Sequence, residues 1–227
     1  MKILFLSKKT NWCDKAIKYT LEKFDDVTVF QGGWEDKIPD EVRKWKGEMI
    51  ISYLSPWIVP EKLLKNVNKA INFHPGTPEY AGIGCYNFAI YNQENKYGVL
   101  CHEMQKKVDS GKIIKLKMFP VTQNETVESL KEKSMTHMLS LFYEIIDLIK
   151  NEQTLPISKY QWNKKPYTRK DLQNLCRITL DIPKNEILKR LRATYYPGGP
   201  DYPYIKINSK RIILKEIYFD GLENTPI

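Results

Sequence analysis

The residues best suited to chemistry lie in two short stretches. In Ile71-Asn72-Phe73-His74-Pro75-Gly76, an amide and an imidazole stand two positions apart. Side chains two apart along a strand project on the same side, so a strand here puts Asn72 and His74 on one face. The amide donates hydrogen bonds and the imidazole changes charge near neutral pH, which places a donor and a base together. In Lys107-Val108-Asp109-Ser110-Gly111-Lys112, a carboxylate sits in a polar turn. A carboxylate beside an imidazole orients it and raises its basicity. Taken singly, neither stretch is diagnostic: Asn-x-His in a strand is more often structural, and Asp-Ser-Gly is an ordinary turn.

The elements that must position these residues follow from hydrophobic patterning. Ile3 to Leu6, Val27 to Phe30, Met49 to Leu54 and Ala70 to His74 read as buried strands, with Gly98 to Met104 and Lys112 to Phe119 as a further pair. Helix-length segments separate the early strands, including Lys15 to Lys23. Short Ile-, Val- and Leu-rich runs alternating with helices predict an α/β fold, a Rossmann-like, mostly parallel sheet with helices on both faces. In open sheets of this kind ligands bind at the carboxyl ends of the strands, where Asn72 and His74 fall. Thr126 caps a long helix whose Val127, Leu130, Met138, Leu141, Phe142, Ile145 and Ile149 keep helical spacing and form a packing stripe. Near Asn151 the character changes to Pro-containing polar sequence. We therefore divide the chain into a domain at 1–150 and a small C-terminal α+β subdomain at 151–227. The latter holds two short helices (Arg169 to Leu175 and Lys184 to Ala193) and a hairpin (Tyr204 to Ile207 and Arg211 to Tyr218) turning at Asn208-Ser209.

Composition limits the partners. Lys and Arg number 36 against 27 Asp and Glu, a net charge of +9, which favours anionic ligands. The basic residues are scattered, which argues for a small anion and against nucleic acid. No apolar run approaches the ~20 residues that span a bilayer, so no membrane partner is expected. Cys13, Cys85, Cys101 and Cys176 show no C-x-x-C or zinc-ligand spacing, so no metal is expected. Free thiols of this kind suit the reducing cytoplasm. Neither G-x-G-x-x-G nor a Walker loop occurs, which weakens nicotinamide or ATP readings.

The stretch from Ile71 to Ile114 as a whole resembles the core signature of the 10-formyltetrahydrofolate-dependent formyltransferases. The pattern is Asn-x-His, a Pro-x-Tyr-x-Gly loop, an amphipathic helix, Gly-Val-x-x-His-x-Met, and Asp-x-Gly. It is met by Asn72, His74, Pro78, Tyr80, Gly82, Phe88 to Ile90, Gly98, Val99, His102, Met104, Asp109 and Gly111. A weaker resemblance runs from Met1 to about Ile149. It implies that Asn72 and His74 stabilise the oxygen of the tetrahedral intermediate while Asp109, with His74, moves the proton off an attacking amine. N10-formyltetrahydrofolate would be the formyl donor, lying against Ser55, Pro56, Trp57 and Ile58 and against Lys106 and Val108. The resemblance also places the acceptor at Lys9, Thr10 and Asn11, where relatives hold a substrate phosphate, and at Gly76, Thr77 and Tyr80. Trp57 reads equally well as a hydrophobic cap on the sheet. His102 reads as a strand residue with a packing role, and His137 as a structural or exposed helix residue.

The chain departs from the common pattern at Ala81, where many relatives carry Arg, and in a His74-to-Pro78 loop one residue shorter than usual. Both fall beside the acceptor. Lys165 to Leu172 and the tail from Leu191 to Ile212 look like sugar N-formyltransferases. Their acceptor is an amino sugar on a nucleoside diphosphate, and the finest expectation is dTDP-4-amino-4,6-dideoxyglucose, for the O-antigen of lipopolysaccharide. Tyr195, Tyr196, Tyr202 and Tyr204 are candidates either to stack on the base or to pack the tail. The exposed tail strands allow a homodimer without requiring one. The alternatives are a methionyl-tRNA or other small-amine formyltransferase, a formyltetrahydrofolate hydrolase, and a non-catalytic binding protein.

Overall fold

A computed structural model describes residues 1–163, 165–179, 181–199 and 201–217. They fall into two compact units. One comprises Met1–Glu79, Gly98–Met118 and Ser134–Lys164, and the other Tyr80–Tyr97, Phe119–Lys133 and Lys165–Ile227 as far as described.

A six-stranded sheet runs in the order β2-β1-β3-β4-β5-β6, with β1 at Lys2–Lys8, β2 at Asp26–Gly32, β3 at Met49–Tyr53, β4 at Lys69–His74, β5 at Lys96–Glu103 and β6 at Ile113–Pro120. Strands β2, β1, β3 and β4 are parallel, and β5 runs antiparallel to β4. This is the mostly parallel α/β sheet expected from the alternating pattern. The central strands have no polar face: Ile3, Leu4, Phe5 and Leu6 are all fully buried, because helices cover both sides.

On one side Leu4, Leu6 and Ile50 pack with Val42 of α2 (Asp40–Lys44) and Leu63 of α3 (Glu61–Leu64). On the other, Phe142 of α5 (Val127–Lys150) meets Phe5, Tyr53 and Phe73 at ring separations of 6.0, 5.2 and 5.0 Å. Each such buried aromatic or aliphatic side chain contributes about 1.5–3 kcal/mol. Helix α1 (Asn11–Lys23) buries Cys13, Ala16 and Thr20, and Thr10 caps it by accepting from the Cys13 N–H at 3.3 Å. Thr126 caps α5 as expected, in a reciprocal pair with Ser129.

In the second unit, α4 (Cys85–Tyr91) is followed in the sequence by β5, and α6 (Arg169–Cys176) begins with a capping box from Thr168 and Asp171. Gly82, at φ +87°, bridges Tyr167 so closely that a Cβ would meet the Tyr167 carbonyl oxygen at 2.3 Å. Tyr167 then stacks on Phe88 at 3.7 Å. Asn87 donates to the Ala193 carbonyl, and Arg192 of α7 (Lys184–Thr194) donates to the carbonyls of Gln123 and Glu125. A small sheet of β7 (Arg177–Ile178), β8 (Tyr204–Ile207) and β9 (Lys210–Ile213) completes the unit. Asn208 and Ser209 both have positive φ, at 45° and 66°, the signature of the tight turn expected there. The last strand ends at Ile213. Its expected end, Tyr218, lies outside the described residues.

Candidate active site

Parallel pairing sets the site. Ser7 of β1 lies opposite Tyr53 of β3, and Tyr53 opposite Phe73 of β4. The loops after these strands therefore leave the same sheet edge together. That edge carries Lys9 to Asn11, Ser55 to Ile58, and His74, where an open α/β sheet binds its ligands.

Antiparallel pairing supplies the next group. Asn72 faces His102 across β4 and β5, and the Asn72 Nδ2 lies 3.0 Å from the His102 Nε2. The His102 Nδ1–H donates to the Glu103 carbonyl at 2.7 Å, which leaves Nε2 as the acceptor of the Asn72 amide. The β5–β6 loop folds back to bring in Asp109. One carboxylate spans two imidazoles: Oδ2 lies 3.6 Å from the His74 Nδ1, and Oδ1 lies 3.5 Å from the His102 Nε2. His74, His102 and Asp109 are only 5%, 3% and 7% exposed, so charge at any of them acts through poorly screened surroundings. Asp109 adopts φ +46°, a left-handed conformation that Asp tolerates better than most residues.

Sequence reasoning therefore placed Asn72, His74 and Asp109 correctly as neighbours in space. It missed two others. His102 is a buried strand residue, yet its ring bonds Asn72 and adjoins Asp109, so its role is more than packing. Its cross-strand register with Asn72 was the available signal. Trp162 also belongs to the cluster. Its ring meets the His74 and His102 rings edge-on at 5.8 and 5.1 Å, and its indole N–H donates to the Gly111 carbonyl at 2.7 Å. It comes from polar sequence after α5, where no pattern pointed to it.

The other expected site residues divide. Lys9, Thr10 and Asn11 are exposed at the start of α1, with the Thr10 hydroxyl engaged by Cys13. Ile58 is 71% exposed and Val108 47%, two large apolar side chains left open to solvent in the loops expected to hold a flat ring. Trp57 packs against the end of β2. Its ring lies over Gly32, where a Cβ would sit 2.2 Å from it, and its N–H donates to the Asp36 carbonyl at 2.9 Å. Lys106 pairs with Glu61 at 2.9 Å. With Lys65 also bonded to it, Glu61 has its carboxyl pulled down to about 2. Gly76 and Thr77 are buried. Tyr80 is buried in the second unit, donating to Glu94 at 2.6 Å and accepting from Asn92 at 3.0 Å. Burial, then the Glu94 bond, raises its hydroxyl's pKa. Of the tail tyrosines, Tyr196 accepts from Lys131, Tyr202 accepts from the Gly198 N–H, and Tyr204 lies under the Arg211 guanidinium. All four cysteines are free and buried. Among the described residues no helix is long and apolar enough to cross a membrane, and no group of His, Cys, Asp or Glu is arranged to hold a metal ion.

The chain is 26% identical over 176 residues to a methionyl-tRNA formyltransferase of Bacteroides thetaiotaomicron, covering 72% of this chain and 54% of that protein. It is 38% identical over 121 residues to the trifunctional purine biosynthetic protein adenosine-3 of Chironomus tentans, covering 53% of this chain and 7% of that protein. At best the chain thus spans about half the length of these curated relatives. Among solved structures, a sugar N-formyltransferase from a Shewanella species superposes with a TM-score of 0.74 at 20% identity, covering 95% and 97% of the two chains. A 4-N formyltransferase from Francisella tularensis gives 0.73 at 22%, covering 93% and 96%. An N-formyltransferase from Helicobacter canadensis, solved with folinic acid and dTDP-3-aminofucose, gives 0.69 at 21%, covering 94% and 87%. The family model described as formyl transferase matches residues 1–146, and the chain belongs to that family.

Proposed function

We propose that the chain transfers the formyl group of N10-formyltetrahydrofolate to the amine of a nucleotide-linked amino sugar in the cytoplasm, serving surface polysaccharide synthesis. The acceptor we assign is dTDP-4-amino-4,6-dideoxyglucose. The observation that carries the reaction class is the buried His74–Asp109 pair at the carboxyl end of β4, with the half-buried Asn72 amide beside it. The superposition on sugar N-formyltransferases along nearly the full length of both chains supports the acceptor class, because it includes the part beyond the catalytic segment we assign to 1–150.

The donor, when bound, supplies a one-carbon unit already activated for attack. Ile58 and Val108, exposed as they are, fit a flat ring that would cover them. The backbone of Ser55 to Ile58 and of Lys106 to Val108 would orient it. One N–H of the Asn72 amide goes to His102, and we assign the other to the formyl oxygen as it gains negative charge. The His74–Asp109 pair takes the proton that leaves the attacking amine. Lys9, Thr10 and Asn11, at the positive end of α1, suit the acceptor's phosphates. Gly76 and Thr77 shape the loop beside the amine, and Tyr80 fixes its own turn through Glu94 and Asn92.

A second reading, transfer to methionyl-tRNA, is favoured by the names of the curated relatives. One assay separates the two: purified protein and formyl donor, with either the dTDP-amino sugar or charged tRNA, read by product mass. A gain of one formyl group on the sugar alone is expected. Formylation of the tRNA alone, or only release of formate, rejects the proposal.

A further inference from the structure

Trp162 touches the Asp109 turn and both imidazoles at once. Its N–H holds the carbonyl of Gly111, two residues past Asp109, while its edge rests on His74 and His102. The segment that delivers it is tied down on either side: the Ser158 N–H donates to the Ile113 carbonyl at 2.9 Å, and the Asn163 amide donates to Glu79 at 2.8 Å. Both imidazoles are nearly buried, and the half-buried indole packs edge-on against them.

We infer that Trp162, outside the residues the family model matches, is a positioning residue that holds Asp109 against His74 and His102 and keeps water from them. The inference rests on the formyl-transfer reading and refines it. In productive transfer the bond from donor nitrogen to formyl carbon breaks, the amine nitrogen forms the new bond, the His74–Asp109 pair takes the amine proton, and the donor nitrogen gains one. If water reaches the same carbon, its oxygen forms the bond and formate leaves. Excluding water sets the partition between the two.

The test uses Trp162→Ala and Trp162→Phe in the full chain. The first readout needs no turnover: modification of the three histidines by diethyl pyrocarbonate, located by peptide mass spectrometry, with His137 as internal reference. His74 and His102 are expected to react several-fold faster in Trp162→Ala and at an intermediate rate in Trp162→Phe, with His137 unchanged. The second readout is formate released per formyl transferred, together with kcat and KM. The Ala variant is expected to lose about ten- to a hundredfold in kcat with little change in KM, and to release a larger share of formate. Phe should recover part of both. Native histidine reactivity and a native formate share in a folded Trp162→Ala protein overturn the inference. Should that variant fail to fold, the same native values in Trp162→Phe overturn it. If the wild-type protein formylates no amine, the proposed function fails, and the modification rates still decide whether Trp162 shields the imidazoles.

Discussion

Gly111 passes so close to Glu103 that a Cβ on it would lie 1.8 Å from the Glu103 carbonyl oxygen. The neighbour is backbone and cannot rotate away, so any side chain forces the Asp109 turn off β5. Overpacking of this kind costs about 1–3 kcal/mol. Gly111→Ala is therefore expected to lower the urea midpoint by a corresponding amount and to cut turnover more than thermal stability alone explains, because the Gly111 carbonyl is also the anchor of Trp162. Native turnover in Gly111→Ala would show that the turn is free to shift.

Asp109 combines a left-handed backbone with a buried carboxylate between two imidazoles. Asn tolerates the same φ, so Asp109→Asn removes charge while sparing the backbone. We expect turnover to fall about 10²- to 10⁴-fold, with His74→Ala falling comparably, the range of a lost general acid–base group. Circular dichroism should remain native for both. Near-native turnover in both variants would remove them from the chemistry.

How much of this was legible depended on range. The strands β1 and β3 were readable because burial on both faces leaves continuous apolar runs, and the long helix because Thr126 and its stripe agree. Asn72 and His74 were readable as a pair because alternation along a strand is a local rule. The short helices α2 and α3 carry too few residues to show a period. The bond from Asn72 to His102 depends on strand register, and that of Trp162 to Gly111 on chain folding across 51 positions. Neither leaves a trace in local spacing. Trp57 illustrates the same point: it lies in the loop after β3 as its position implies, but its ring is held over Gly32 by a bond to Asp36 that sequence does not encode locally.

Glu144 of α5 ties the helix to β6 through Lys115 at 2.8 Å and Lys117 at 2.7 Å. These two bonds hold its carboxyl below the usual value of 4.5. A depressed carboxylate stabilises the folded state above its unfolded value, and that contribution is lost as pH falls from about 4.5 toward the lower folded value. The side chain is 38% exposed, so screening keeps the effect under about 1 kcal/mol. Denaturation measured from pH 6 to pH 3 should show Glu144→Gln less stable than wild type at pH 6, with the difference shrinking as pH drops. A difference that stays constant with pH would mean that packing, not charge, links the helix to the strand.

Tyr80 lies in a loop that the resemblance associates with the acceptor, yet its hydroxyl is committed to Glu94 and Asn92 and its ring lies parallel to Tyr167 at 6.3 Å. Replacing it by Phe keeps the ring and leaves the Glu94 carboxylate and Asn92 amide each short of a partner. That costs about 1 kcal/mol. A residue acting by bracing the loop should therefore show its loss in stability: Tyr80→Phe is expected to unfold earlier while KM for the amino-sugar acceptor stays native. A substrate contact would give the opposite pattern, native stability with a raised acceptor KM. The comparison thus decides whether the hydroxyl recognises the acceptor or only holds the loop that does.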